Sequence, residues 1–201
     1  MNFFKSNIKI IRLVIIVLII GTAVVYFTKK VDASPQKGIF MTWQDYKKNE
    51  ITPAEKINLN HLTSSRYVDI IEDGKKYRFC KDSIFGYRDA DGKDYRFFKI
   101  YNDEYQVLEN LDMVIYVIYN PTHTSKGISQ PLTPDYYFSK ALNSDVLPLT
   151  ILNLKSVYPD NLKFHDLLDR EFGNGLPLSF YDNANKMFRV NYILKQSLIK
   201  S

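Results

Sequence analysis

The residues able to do chemistry are few and scattered. Three histidines, His61, His123 and His165, lie far apart. None has a second His or Cys three or four residues away, the spacing that sets two metal ligands on one face. His165 has Asp166 beside it, but adjacent residues of a helix do not face each other. Asp89, Asp91 and Asp94 around Gly92 alternate as the acids of a calcium loop do. A terminal glutamate is needed about a dozen residues from the start of such a loop, and Ile100 stands there. A hairpin turn accounts for Asp89, Asp91 and Gly92 without a metal. The single cysteine, Cys80, cannot form an internal disulfide. Arg78 and Lys81 are near it, but a small, buried apolar core residue on a strand is its plainer use. No G-x-S-x-G elbow frames Ser83, and the eight glycines are scattered as turn residues rather than gathered into a phosphate loop. No metal, cofactor or catalytic residue is assigned.

Two stretches suit binding better than catalysis. His123, Thr124, Ser125 and Lys126 sit in Asn120–Pro134, the longest segment without periodicity, which carries three prolines and several hydroxyls. Long surface loops of this composition often carry function. The second candidate interleaves aromatic and cationic residues along two strands, Tyr77 with Arg78 and Tyr95 with Arg96. Such faces stack on rings and attract acidic partners. The plainer alternative is a sheet with an aromatic core face and a cationic solvent face.

These residues need elements to hold them. Gly38–Thr42 reads as a first strand, and Thr42 can cap a helix over Trp43–Lys48, stopped by Asn49. Ile51–Ser65 is polar and irregular, with at most a short strand near Ile57–Leu59. A β-meander begins at Arg66. Tyr67–Ile71 and Tyr77–Cys80 flank Asp73-Gly74, a strong hairpin signal. Ile84–Arg88 and Asp94–Tyr101 flank Asp89–Lys93, and Tyr105–Glu109 pairs with Met113–Tyr119. Strands this close in sequence must pair antiparallel. Met113–Tyr119 has no polar residue on either face, so it needs a layer above and below. The sheet is therefore either curled into a partial barrel or packed by helices on one face. Asp135–Lys140 adds a strand. Thr150 caps Ile151–Tyr158, and Asp160 or Asn161 caps a helix to Phe172 with Leu162, Phe164 or His165, Leu168 and Phe172 on its apolar face. Asn183–Leu198 fits a helix on length, although Phe188, Val190 and Tyr192 alternate as a strand would. The fold class is α+β, an antiparallel meander followed by C-terminal helices.

Ahead of this domain stands Leu13–Thr28 (LVIIVLIIGTAVVYFT), with eleven Leu, Ile, Val or Phe. Those eleven favour the bilayer by about 3–7 kcal/mol. Sixteen helical residues cover only about 24 Å; reaching back to Ile8 gives about 31 Å, with Lys9 and Arg12 snorkelling to the headgroups. The expectation is one N-terminal membrane helix in residues 1–33 and one extracytoplasmic domain in residues 34–201. Cleavage after Ala33, which would release the domain, is the alternative. Lys5, Lys9 and Arg12 ahead of the run slightly outweigh Lys29 and Lys30 behind it, which favours the C-terminal domain outside.

The formal charge of +5 arises mostly in that segment, which holds five cations and one acid. The remainder is nearly neutral, so the basic balance is no argument for nucleic acid. Gly38-Ile39-Phe40, Gly86-Tyr87-Arg88-Asp89, Asp94-Tyr95-Arg96-Phe97 and Tyr136-Tyr137-Phe138-Ser139 resemble phrases of uncharacterised exported or membrane-anchored bacterial proteins. The resemblance implies an envelope location and assigns no activity. The expected role is a membrane-tethered binding or structural module, an accessory component of the cell envelope with a protein partner there. An extracytoplasmic hydrolase with a dispersed site, or a small-ligand-binding protein, is the alternative.

Overall fold

The computed structural model describes residues 36–59, 65–98, 104–120 and 133–199. The apolar run at 13–28 and the binding-loop candidates His123, Thr124, Ser125 and Lys126 lie outside these residues. Among the described residues no helix is long and apolar enough to cross a membrane.

Strand β1 (Gly38–Phe40) leads into α1 (Trp43–Lys48). The Thr42 hydroxyl accepts from the Asp45 amide at 3.2 Å, and the Asp45 carboxylate accepts from the Thr42 amide at 2.9 Å. This reciprocal capping box fixes where the helix starts. Asn49, at φ 57°, stops it in the left-handed region. Two short strands, β2 (Thr52–Pro53) and β3 (Lys56–Asn58), occupy the stretch expected to be mostly loop. The first hairpin, β4 (Tyr67–Glu72) and β5 (Lys75–Cys80), turns through Asp73 and Gly74 at φ 49° and 69°. Both are positive, as a two-residue type I′ turn requires. Then follow β6 (Gly86–Arg88), β7 (Asp94–Phe97), β8 (Glu104–Asn110), β9 (Val114–Asn120), β10 (Thr133–Ser139) and β11 (Leu147–Pro148). Helices α2 (Ile151–Val157) and α3 (Leu162–Phe172) are capped by Thr150 and Asn161. A small hairpin, β12 (Tyr181–Asp182) and β13 (Met187–Phe188), precedes α4 (Arg189–Leu198).

The large sheet is open and antiparallel, in the order β11-β10-β9-β8-β7-β6-β1-β2. The first hairpin does not join it. It forms a separate three-stranded sheet, β3-β4-β5, because β1 takes the place beside β6, with Ile39 opposite Tyr87. A 3-10 turn at Lys81–Ser83 carries the chain from one sheet to the other.

Register sorts the side chains. Ile39, Tyr87, Tyr95, Gln106, Val117 and Tyr136 are successive cross-strand partners and share one face. At the β1 end this face packs Ile39, Tyr87 and Phe97 against Val68 and Ile70 of the small sheet. At the β9 end it packs Met113, Ile115 and Phe138 against Leu154, Phe164, Leu168, Phe172, Ile193 and Leu194 of the three longer helices. The opposite face gathers Tyr105, Val114, Tyr116 and Leu142, with Trp43, Tyr46, Phe85 and Phe98 around them. Strand β9 is thus covered on both sides, which its unbroken apolar sequence demands. Helices on one face, not closure of the sheet, supply half of that cover.

Two helical expectations shift. Leu162 heads α3 but is 69 % exposed, while Phe164, Leu168 and Phe172 are buried. Helix α4 begins only at Arg189, because the Asp182 carboxylate holds the amides of Ala184 and Asn185 at 3.0 and 3.1 Å in a turn. Met187 and Phe188 are therefore strand before the chain turns helical.

Candidate functional site

The four aromatic and cationic candidates separate into three environments. Tyr77 and Arg78 lie together on β5, the outermost strand of the small sheet. Tyr95 is stacked on Tyr87 inside the fold, with ring centroids 4.8 Å apart. Burial, and then the carboxylate of Asp89, push the Tyr95 hydroxyl up to about 12. Arg96 points to the opposite face. Its guanidinium lies 4.5 Å from the Phe98 ring centroid and 5.4 Å from that of Phe85. It donates to the Tyr116 hydroxyl at 2.9 Å and to the Ser144 carbonyl at 3.2 Å. The Tyr116 hydroxyl then donates to Ser139 Oγ, and Ser139 to the Ala141 carbonyl, at 2.9 and 2.8 Å. Arg96 therefore pins the aromatic layer to the loop after β10.

Only the β5 pair faces solvent. Lys75, Lys76, Tyr77 and Arg78 are all exposed. The type I′ turn fixes the register, with Glu72 opposite Lys75, Asp69 opposite Arg78 and Tyr67 opposite Cys80. Side chains of Lys56, Asn58, Tyr67, Asp69, Ile71, Lys76, Arg78 and Cys80 thereby share the outer face of the small sheet. Arg78 grips Asp69 with Nε at 2.6 Å and Nη2 at 3.1 Å, and Lys76 approaches the same carboxylate at 2.9 Å. Those donors, Arg78 first, hold the Asp69 carboxyl well below the usual carboxylate range. The Arg78 guanidinium also stands 5.8 Å from the ring centroid of Tyr67, which is 48 % exposed. The outer face is a cationic and aromatic surface with one acid at its centre. Asp69 and Tyr67 were missing from the sequence candidates; counting outward from the Asp73-Gly74 turn places both of them. Cys80, expected to be buried, is partly exposed on this face.

Other titratable clusters serve the fold. Lys81 is buried and pairs with Glu104 at 2.9 Å, and Glu104 accepts from the Tyr87 hydroxyl at 3.2 Å. Burial, reinforced by Glu104, raises Tyr87 far above the ordinary tyrosine range. Asp94 takes a two-point grip from Arg88 at 2.6 and 2.9 Å, and Asp89 caps its own turn through the amides of Asp91 and Lys93. Two of the three acids of the calcium-like spacing, Asp89 and Asp94, thus have carboxylates used in turn and strand. His165 Nε2 lies 2.8 Å from the Tyr158 carbonyl. Ser83 donates to the Cys80 carbonyl at 2.7 Å. Among the described residues no three His, Cys, Asp or Glu gather as a metal site.

A shallow cavity of about 500 Å³ opens beside β10 and β11, lined by Tyr136, Tyr137, Leu149, Thr150 and Leu178 among others. Comparison with known protein families, curated proteins and solved structures finds no match.

Proposed function

We propose that this protein is a membrane-tethered, extracytoplasmic binding module, an accessory component of a bacterial cell envelope. Residues 1–33 hold it at the membrane as a single helix, with the α+β domain outside. The observation that carries recognition is the exposed β5 edge of the small sheet, where Lys75, Lys76, Tyr77 and Arg78 stand clear of the buried clusters. Of these, tyrosine and arginine are the types favoured at protein interfaces.

A photo-crosslinking residue at Tyr77, in intact cells, tests the reading against the same residue at Leu152 on α2. A reproducible adduct from position 77 and none from 152 is the expected result; equal adducts or none would count against it. Protease added to intact cells should digest the domain. Complete protection would remove the outward orientation.

The cavity beside β10 and β11 supports a second reading, capture of a small ligand, since its volume falls within the usual range for such sites. Ligand-observed NMR with a fragment library, repeated on Leu178→Trp, decides this. Fragments displaced by the filled cavity favour it, and fragments indifferent to the substitution rule it out.

A further inference from the structure

We infer that the outer edge of β5 takes an extended, acidic peptide strand as the fourth strand of the small sheet. The inference rests on the binding-module reading and names the partner for its surface. The order β3-β4-β5 leaves β5 paired on one side only among the described residues. The amide of Lys81 donates to the Arg66 carbonyl at 2.8 Å, which sets the phase of the ladder. With that phase and the β4–β5 register, the backbone groups of Lys75, Tyr77 and Phe79 turn toward β4. Those of Lys76, Arg78 and Cys80 turn outward. The amides and carbonyls of Lys76 and Arg78, with the amide of Cys80, whose carbonyl Ser83 already takes, are unused ladder groups on one exposed strand and form a template for strand addition.

Charge selects the occupant. The outer face carries three cations, Lys56, Lys76 and Arg78, against one acid, Asp69. Side chains of an added strand that fall opposite Lys76 and Arg78 lie on this face. Acids there are attracted; lysines or arginines are repelled. Lysine on a free edge is a common guard against indiscriminate pairing, and here it admits only a strand that brings acids. A second copy of this chain fits poorly, because antiparallel pairing of β5 with itself sets two Lys-Lys-Tyr-Arg runs side by side. The alternate positions of the guest fall next to Tyr77, which is 41 % exposed on the other face of the sheet. A guest alternating acidic with β-branched or apolar residues satisfies both faces.

The test uses the full-length chain, isotope-labelled in detergent micelles, and a capped octapeptide alternating Glu and Thr at millimolar concentration. Amide exchange at Lys76, Arg78 and Cys80 should slow about tenfold, while Lys75, Tyr77 and Phe79, already bonded to β4, stay unchanged. The same peptide with Lys for Glu should slow nothing. Lys76→Pro removes one outward N–H and none directed at β4, and should abolish the slowing. No slowing at the three outward amides, or equal slowing by the lysine peptide, would overturn the inference. If the Tyr77 crosslink still forms in cells in that case, the module reading stands and only the acidic strand is wrong.

Discussion

Asn191 is wholly buried, yet each of its polar atoms is used. Its Oδ1 accepts from the Met113 amide at 3.0 Å, and its Nδ2 donates to the Met113 carbonyl at 3.1 Å and to Glu109. Glu109 also accepts from the Phe188 amide at 3.0 Å. One side chain thus locks the start of α4 to the turn between β8 and β9. Asn191→Ala leaves the Met113 amide unpaired in the core, while the Met113 carbonyl keeps the Leu111 amide at 3.2 Å, and should cost about 1–3 kcal/mol in urea unfolding. Burial raises the Glu109 carboxyl above the ordinary glutamate range even against its two donors. A raised acid contributes stability that is fully present below its unfolded pKa and is lost as pH rises through its folded one. Asp69, depressed by Arg78 and Lys76, has the opposite sign: its contribution is present above the ordinary aspartate range and fades as pH falls below it. Urea midpoints across the acid range should therefore lose the high-pH decline in Glu109→Gln and the low-pH decline in Asp69→Asn. An unaltered slope in either variant would remove that group from the account. The Asn191 clamp was not legible in the sequence, because its partner lies 78 residues away and nothing marks this Asn from a surface one. The Asp69 cluster was within reach, since a two-residue turn fixes every pair of its hairpin.

Turns and caps govern the elements, and two glycines show how differently. Gly86 faces Arg96 across β6 and β7, and a Cβ built on it would lie 1.9 Å from the Tyr95 carbonyl oxygen. Gly86→Ala must push the strands apart and should cost about 3 kcal/mol. Gly74 has φ 69° with open space around it, so Gly74→Ala meets only turn strain, about 1 kcal/mol. Thermal unfolding of both variants checks the contrast, and equal losses would contradict it. At this scale the sequence was most informative. Thr42 and Thr150 cap the helices they were expected to cap, and Asn161 takes the cap left open between it and Asp160, because a cap is chemistry between residues three apart. The Asp-Gly turn was equally plain. Element ends were less so: Ile84 was assigned to a strand on its apolar character, but it is buried by the small sheet and lies ahead of the ladder at Gly86.

The division into two sheets is a choice made by the whole chain. Both β5 and β1 are able to flank β6, and local pattern cannot decide between them. The choice is made by where apolar surface closes: Val68 and Ile70 bury more when the hairpin lies over Ile39, Tyr87 and Phe97 than at a sheet edge. The result is three separate cores, one between the two sheets, one beneath the helices and one on the opposite face of the large sheet. Their independence is measurable. Phe164 sits wholly buried in the helical core and Ile70 in the inter-sheet core, with no shared cluster. Phe164→Ala should cost about 3–5 kcal/mol and Ile70→Val about 1 kcal/mol. The double variant should equal the sum within about 0.5 kcal/mol, as for sites without common partners. Phe164→Ala combined with Ile193→Val, both in the helical core, should depart from additivity by more than that, since each relaxes into space the other vacates. Equilibrium urea unfolding of the three single and two double variants decides between these outcomes. Strong coupling between Phe164 and Ile70 would mean that the sheet transmits repacking from one core to the other and that the cores act as one.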